Sequence, residues 1–199
     1  MNFLAHLRVA GEDDTFRVGN LMGDFVKGRP EDRYREALAR GVRLHRAVDS
    51  FSDAHPMHLR SRRRFRGPRR RVAGIAVDLA YDHYLARHWT RFSDEPLGQF
   101  TQRAYHALYR HHDELPERLQ RLLPLMSGDD WLQSYVDLEN VATALERMSR
   151  RLSRPNALAA STQEIRANYG ALEADFLAFF PQLLEFTADW RRRNPPPRR

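Results

Sequence analysis

Apolar residues recur along most of the chain at spacings of three and four, the period of a helix that buries one face. The clearest run is Ile165, Tyr169, Leu172, Phe176, Phe179 and Leu183, which predicts a long C-terminal helix facing a core, opened by a capping box of Ser161 with Glu164. Pro181 falls inside that run and is expected to kink or divide it. Trp131, Tyr135, Leu138, Ala142, Leu145 and Met148 predict another helix capped by Asp129 or Asp130, and Phe100, Tyr105, Leu108 and Tyr109 mark one over Leu97 to His112. Pro116 opens a helix from Glu117 to Met126.

Toward the N-terminus, Asp13 or Asp14 can cap a helix running toward Val26. Arg33 to Ala54 reads as helical with a break near Gly41, Met57 to Phe65 as a short segment, and Arg69 to Phe92 as a helix after the Gly67-Pro68 turn. Alternating β-branched runs and Asn-Gly hairpin signals are missing. The pattern predicts an all-α, single-domain helical bundle of about seven to nine helices. The domain spans 1–193, and the tail 194–199, NPPPRR, is expected to be disordered. With 199 residues one core is the natural count.

Polar residues interrupt this apolar scheme in two stretches. GVRLHRAVDSFSDAHP carries His45, Asp49 and Asp53 four apart on one helical face, ended by Pro56. GIAVDLAYDHYLARHW carries Asp78 and Asp82 four apart with His83 beside them. His6 in NFLAHL, and Asn20 and Asp24 in GNLMGDFVKG, sit in equally apolar surroundings. Carboxylates in such settings need partners. Either they pair with nearby arginines such as Arg43, Arg46, Arg71 and Arg87, or Asp and His converge on a divalent cation. Any one of these residues is explained as a cap or ion pair; the set points to a carboxylate–imidazole centre of the kind helical bundles build. Mixed oxygen and imidazole donors suit Mn²⁺, Fe²⁺, Mg²⁺ or Zn²⁺, and spacing does not choose among them.

The formal charge is +7, and Lys27 is the only lysine. That balance favours anionic partners, although an arginine-rich chain also arises from a GC-rich coding sequence. Eight of the twelve residues from Arg60 to Arg71 are arginine, with Phe65 the single aromatic. A solvated turn, a phosphate-rich small substrate, a nucleic acid and an acidic protein all fit a basic run; the poverty of interleaved aromatics speaks against single-strand binding. There is no cysteine, hence no disulfide or thiolate metal site. No secretory signal and no apolar run of the roughly 20 residues a membrane helix needs is present, so the expected location is cytoplasmic.

MNFLAHL, GNLMGDFVKG, GVRLHRAVDSFSDAHP, SRRRFRGPRRRVAGIAVDLAYDHYLARHW and the helical C-terminal half together resemble the acyl carrier protein phosphodiesterases. The likeness runs in order from Met1 to about Trp89 and more loosely to about Trp190. It implies a divergent HD-like phosphohydrolase, all-helical, dependent on a divalent metal, with Mn²⁺ first and Mg²⁺, Fe²⁺ or Co²⁺ as alternatives. The implied reaction is hydrolysis of holo-acyl carrier protein to apo-protein and phosphopantetheine, in fatty acid biosynthesis, with an acidic carrier as partner and neither membrane nor nucleic acid.

Under this resemblance Asp24, His45 and Asp78 are expected to hold the metal, with His6 as a further ligand. Asp49, Asp82 and His83 are expected to orient ligands or move protons; Lys27 and Arg46 to contact phosphate; Arg62, Arg63 and Arg64 to receive the carrier. The one literal His-Asp dipeptide, His112-Asp113 in RHHDELP, reads as a helix end and a turn. Phe176, Phe179 and Phe180 read as core in preference to a channel for an acyl chain. The rivals are a phosphohydrolase of nucleotides or small phosphodiesters with the same centre, and a non-enzymatic basic module binding nucleic acid.

Overall fold

The computed structural model describes residues 1–152 and 154–196. The described residues form eleven α-helices and no strand: α1 Phe3–Val9, α2 Asp14–Met22, α3 Glu36–Ala54, α4 Pro56–Arg62, α5 Ala73–Arg87, α6 Leu97–Arg110, α7 Glu117–Gly128, α8 Trp131–Ser134, α9 Leu138–Arg151, α10 Ser161–Ala167 and α11 Tyr169–Arg193. The count exceeds the seven to nine expected because two apolar runs are each split. The Trp131–Met148 run is divided between α8 and α9, which Asp130 and Asp137 cap by accepting from the Gln133 and Glu139 amides. The C-terminal run is divided at Asn168, not at Pro181, which α11 carries within one helix. Ser161 makes no capping box; its hydroxyl donates to the Ala157 carbonyl.

The N-terminal boundaries also shift. Asp13 is the cap of α2, accepting from the Phe16 amide at 2.8 Å, and α2 gives way at Met22 to a 3₁₀ turn, Gly23–Phe25. α3 runs unbroken through Gly41, because glycine there serves packing. A Cβ at Gly41 would meet the carbonyl of Phe16 and lie 2.6 Å from the Asn20 amide, so its absence lets the backbones of α2 and α3 touch. The expected disorder of 194–199 falls partly outside the described residues, since 197–199 are not among them.

α1, α3, α5 and α11 enclose one core. Phe176, Phe179 and Phe180 of α11 are fully buried beside Tyr81 and Tyr84 of α5 and Phe92, so they are core and line no channel. Asp82 ties α5 to α1: its carboxylate accepts from the Leu4 amide at 2.8 Å and the Ala5 amide at 3.1 Å. Two of the otherwise orphan donors of a helix N-terminus are thereby satisfied in the interior. This places His6, the next residue of α1, against α2 and α3.

Candidate metal centre

The imidazoles of His6 and His45 stack, 3.9 Å between centroids and 16° from parallel, and both are buried. Asn20 of α2 fixes them. Its side-chain amide nitrogen donates to the His6 carbonyl at 2.8 Å, which leaves its oxygen to accept from His6 Nδ1 at 3.2 Å. Its backbone carbonyl accepts from His45 Nδ1 at 2.8 Å. With protons on both Nδ1 atoms, both rings turn Nε2 to the same place, where each offers a lone pair whenever that nitrogen gives up its proton. Gly23 makes room for this, because a Cβ there would overlap the His45 ring.

Asp49, one turn along α3 from His45, fills that place. Its Oδ1 lies 3.2 Å from His6 Nε2, and its Oδ2 lies 3.1 Å from His45 Nε2. Asp24 Oδ1 approaches His45 Nε2 at 3.4 Å from the 3₁₀ turn. The His6 Nε2, although within ion-pairing range of Asp49, makes no aligned hydrogen bond. Lone pairs and carboxylate oxygens facing one another repel unless a proton or a cation lies between them. His6, His45 and Asp49 offer three donor atoms within 4.8 Å of one another, a set that fits a divalent cation.

On the other flank the Met1 ammonium is 3.3 Å from both Asp49 and Asp78. Asp78 accepts from His58 Nε2 at 2.9 Å. His58, on α4, is fully buried, with its Nδ1 unpartnered. Electrostatics follow from this crowding of charge. Burial drives His45 down, but hydrogen bonds to Asp24 and Asp49 outweigh it and push the ring up to about 9. Burial and then the neighbouring His45 charge hold His6 below its usual range. Burial opposes the charged form of Asp49, yet the two imidazoles overcome it and hold the carboxyl well below the carboxylate range. The Met1 amine, despite burial, is pushed up to about 10 by Asp78 and Asp49.

Of the residues singled out in the sequence, His6, Asp24, His45 and Asp49 meet, with Asp78 on the flank. Asp49 belongs between the two histidines, not behind them. Asp82 and His83 stand apart. Asp82 caps α1, and burial pushes its carboxyl up to about 7 against the pull of the two amides. His83 faces another side of α5, between the Tyr135 carbonyl at 2.7 Å and the Tyr169 hydroxyl at 2.8 Å. Five residues along a helix leave two side chains about 140° apart, so Asp78 and His83 do not share a face. None of the described carboxylates at the centre pairs with Arg43, Arg46, Arg71 or Arg87; Arg43 holds Glu31 and Glu36. The His112-Asp113 pair is a contact on an exposed turn.

The basic run divides into two groups. Arg60 Nε donates to the buried Asp175 at 2.6 Å and Arg64 does so at 3.0 Å, so Arg64 braces α4 on α11 and is not free for a partner. Arg62 reaches Asp53 at 3.2 Å, one turn from His58 and from Asp49. Arg63, Arg66, Arg70 and Arg71 are exposed, with no ion pair among the described residues. Phe65 is buried, so this surface offers no aromatic platform from within the run. Arg46 donates to the carbonyls of Val26 and Gly28, bracing the loop that carries the exposed Lys27.

Sequence reasoning missed His58, which sits in an unremarkable PMHLRSR segment; its signal was the single histidine one turn before an arginine cluster. It also gave Asn20 no role, although GNLMGD placed it one turn from Asp24.

An all-α frame thus holds two buried imidazoles against a half-exposed carboxylate, the donor set of an all-helical hydrolase. The profile of the acyl carrier protein phosphodiesterase family matches residues 1–183, and this chain belongs to that family. Acyl carrier protein phosphodiesterases of Pectobacterium atrosepticum and Photorhabdus laumondii are 39% and 38% identical to it over 186 residues, 93% of this chain and 96% and 94% of theirs. That of Serratia proteamaculans is 37% identical over 190 residues, 95% and 98% of the two chains. No solved structure matches. Among the described residues no helix is long and apolar enough to cross a membrane.

Proposed function

We propose that the protein hydrolyses the phosphodiester joining phosphopantetheine to a serine of holo-acyl carrier protein, releasing apo-protein and phosphopantetheine. Family membership supports the reaction. The observation that supports a metal is the pairing of tautomers: Asn20 commits both Nδ1 protons, and two Nε2 lone pairs converge with Asp49 on one point. His6, His45 and Asp49 would hold the ion, with Asp24 and Asp78 completing its surroundings; Mn²⁺ fits this donor set. A divalent ion bound there supplies charge neutralisation of phosphoryl oxygens and a water of lowered pKa.

The protein's own groups do the rest. Asp78, held by His58, would accept a proton from an attacking water. Asp24, nearly half exposed, leaves the centre open to a substrate from solvent. Arg62 and the exposed Arg63, Arg66, Arg70 and Arg71 form a basic rim on the α4 side that suits an acidic protein. The buried Phe65 supports a protein partner over a nucleic acid. The absence of cysteine supports a cytoplasmic setting.

The test is incubation of purified protein with holo-carrier protein and Mn²⁺, read by intact mass. Loss of phosphopantetheine, abolished by excess chelator, is the expected result. Turnover of nucleotides or small phosphodiesters with no release from holo-carrier protein would overturn the reading.

A further inference from the structure

A cleft of about 490 Å³ opens beside Asp24. The start of α1 and the 3₁₀ turn that carries Asp24 form its mouth, where Phe3 and Phe25 stack at 6.2 Å. Ile75, Leu122 and Trp131 continue the apolar wall. The opposite wall is one face of α9: Asn140, Thr143, Ala144, Arg147, Met148 and Arg151 recur at three and four spacing. That face spans roughly 16 Å of helix. Its sequence pattern differs from that of a core stripe. Apolar Ala144 and Met148 alternate with amide, hydroxyl and guanidinium groups, and most of these side chains reach solvent.

The centre therefore has two unlike flanks. Beyond Asp78 lies the basic rim of α4; beyond Asp24 lies a long cleft with mixed walls. A phosphodiester also has two unlike substituents. Resting on the holo-carrier reading above, we propose that the cleft beside Asp24 is the seat of the pantetheine arm, while the carrier protein docks on the arginine side.

The chemistry of the arm fits the walls. It begins with a gem-dimethyl group and continues through two amides to a thiol, an alternation of apolar and hydrogen-bonding segments. Extended, it covers about five residue-lengths, roughly 15–18 Å, close to the length of the α9 face. Phe3 and Phe25 stand at the mouth, where the dimethyl group next to the phosphate falls. Asn2, Asn140 and Thr143 offer donors and acceptors for the amides. A cleft of this size, apolar with a few convergent polar groups, suits a small flexible ligand. A bare acyl chain would leave the polar groups of α9 without use.

Trp131 in the wall gives a reading of binding that does not depend on turnover. Free pantetheine, which lacks phosphate and protein, is titrated into the protein while tryptophan emission is followed. A saturable change that is lost in Trp131→Phe and in Ala144→Phe is the expected result. In kinetics with Mn²⁺, Ala144→Phe raises KM for holo-carrier protein by about tenfold or more. Its turnover of bis(p-nitrophenyl) phosphate, which has no arm to seat, stays unchanged. Thr143→Phe, at an exposed position, repeats the test should Ala144→Phe fail to fold. An emission unmoved by millimolar pantetheine, or wild-type KM for holo-carrier protein in the folded variants, overturns the assignment of the cleft while leaving the reaction standing. A wild-type protein that turns over the small diester but releases no phosphopantetheine overturns both.

Discussion

His6 and His45 lie face to face with their Nε2 atoms aimed at Asp49, an arrangement set from behind by Asn20. Removing the Asn20 side chain frees the His6 ring to turn and leaves the His6 carbonyl without its donor. Asn20→Ala is expected to weaken Mn²⁺ binding about 10–100-fold, the usual effect of losing a group that orients a ligand. Calorimetric titration with Mn²⁺ checks this, and unaltered affinity would show that the ring needs no such support.

Gly23 predicts a sharper effect. A methyl group at that position meets the His45 ring, and the ring cannot retreat because Asn20 and Asp24 hold it. Gly23→Ala should cost about 1–3 kcal/mol of stability by overpacking and displace His45 from the centre. Denaturant unfolding and metal content measured on the same preparation test both parts.

Asp82 is expected to matter for folding and not for chemistry. Asp82→Ala leaves the Leu4 and Ala5 amides buried without acceptors, at a cost of at least about 2 kcal/mol. The folded fraction should keep measurable kcat. A variant of full stability and no turnover would return Asp82 to the reaction.

His83 gives a pH dependence with a definite sign. It is buried between Tyr135 and Tyr169, with Arg87, Asp137 and Glu173 as its charged neighbours. Burial first, and Arg87 with it, hold the ring below its ordinary value, outweighing the Tyr135 carbonyl and the two acids. The unfolded chain therefore binds a proton at a higher pH than the folded one. Its contribution to stability is present above about pH 6.5, the unfolded value, and is lost as pH falls below that toward and through the lower folded value. Unfolding free energy measured at pH 7.5 and 5.5 should drop less in His83→Gln than in the wild type.

The arginines should separate by task. Arg60→Ala with Arg64→Ala strips the buried Asp175 of both cations and lowers the melting temperature, because an uncompensated buried carboxylate is costly. Replacing Arg63, Arg66, Arg70 and Arg71 with Gln should leave melting unchanged and raise KM for the acidic carrier, most strongly at low salt. An unchanged KM at low salt would remove the docking role.

Much of this was legible in the residues. Hydrophobic spacing gave the all-α class and the buried face of α11, because packing against one core imposes the helical period. His6, Asp24, His45 and Asp78 stood out as polar groups in apolar surroundings, and those surroundings are what bury the centre. Spacing could not rank Asp49 above Asp78, since which carboxylate reaches both rings depends on how α1 and α2 lie across α3. It also could not reveal that Asp82 is used up by two amides nearly eighty residues earlier in the chain. The two divided helices escaped for a local reason: Asp137 opens a new helix and Asn168 closes one without interrupting the apolar pattern that continues across them.

Every side chain proposed to touch the ion precedes residue 80, whereas the α9 wall of the cleft is built more than fifty residues later. On the proposed assignment, the ion's ligands and the α9 wall that meets the arm are thus written in separate parts of one polypeptide. Descendants of this fold could exchange what they accept by redrawing a single amphipathic helix, while the inherited chemistry at the other end passed through untouched.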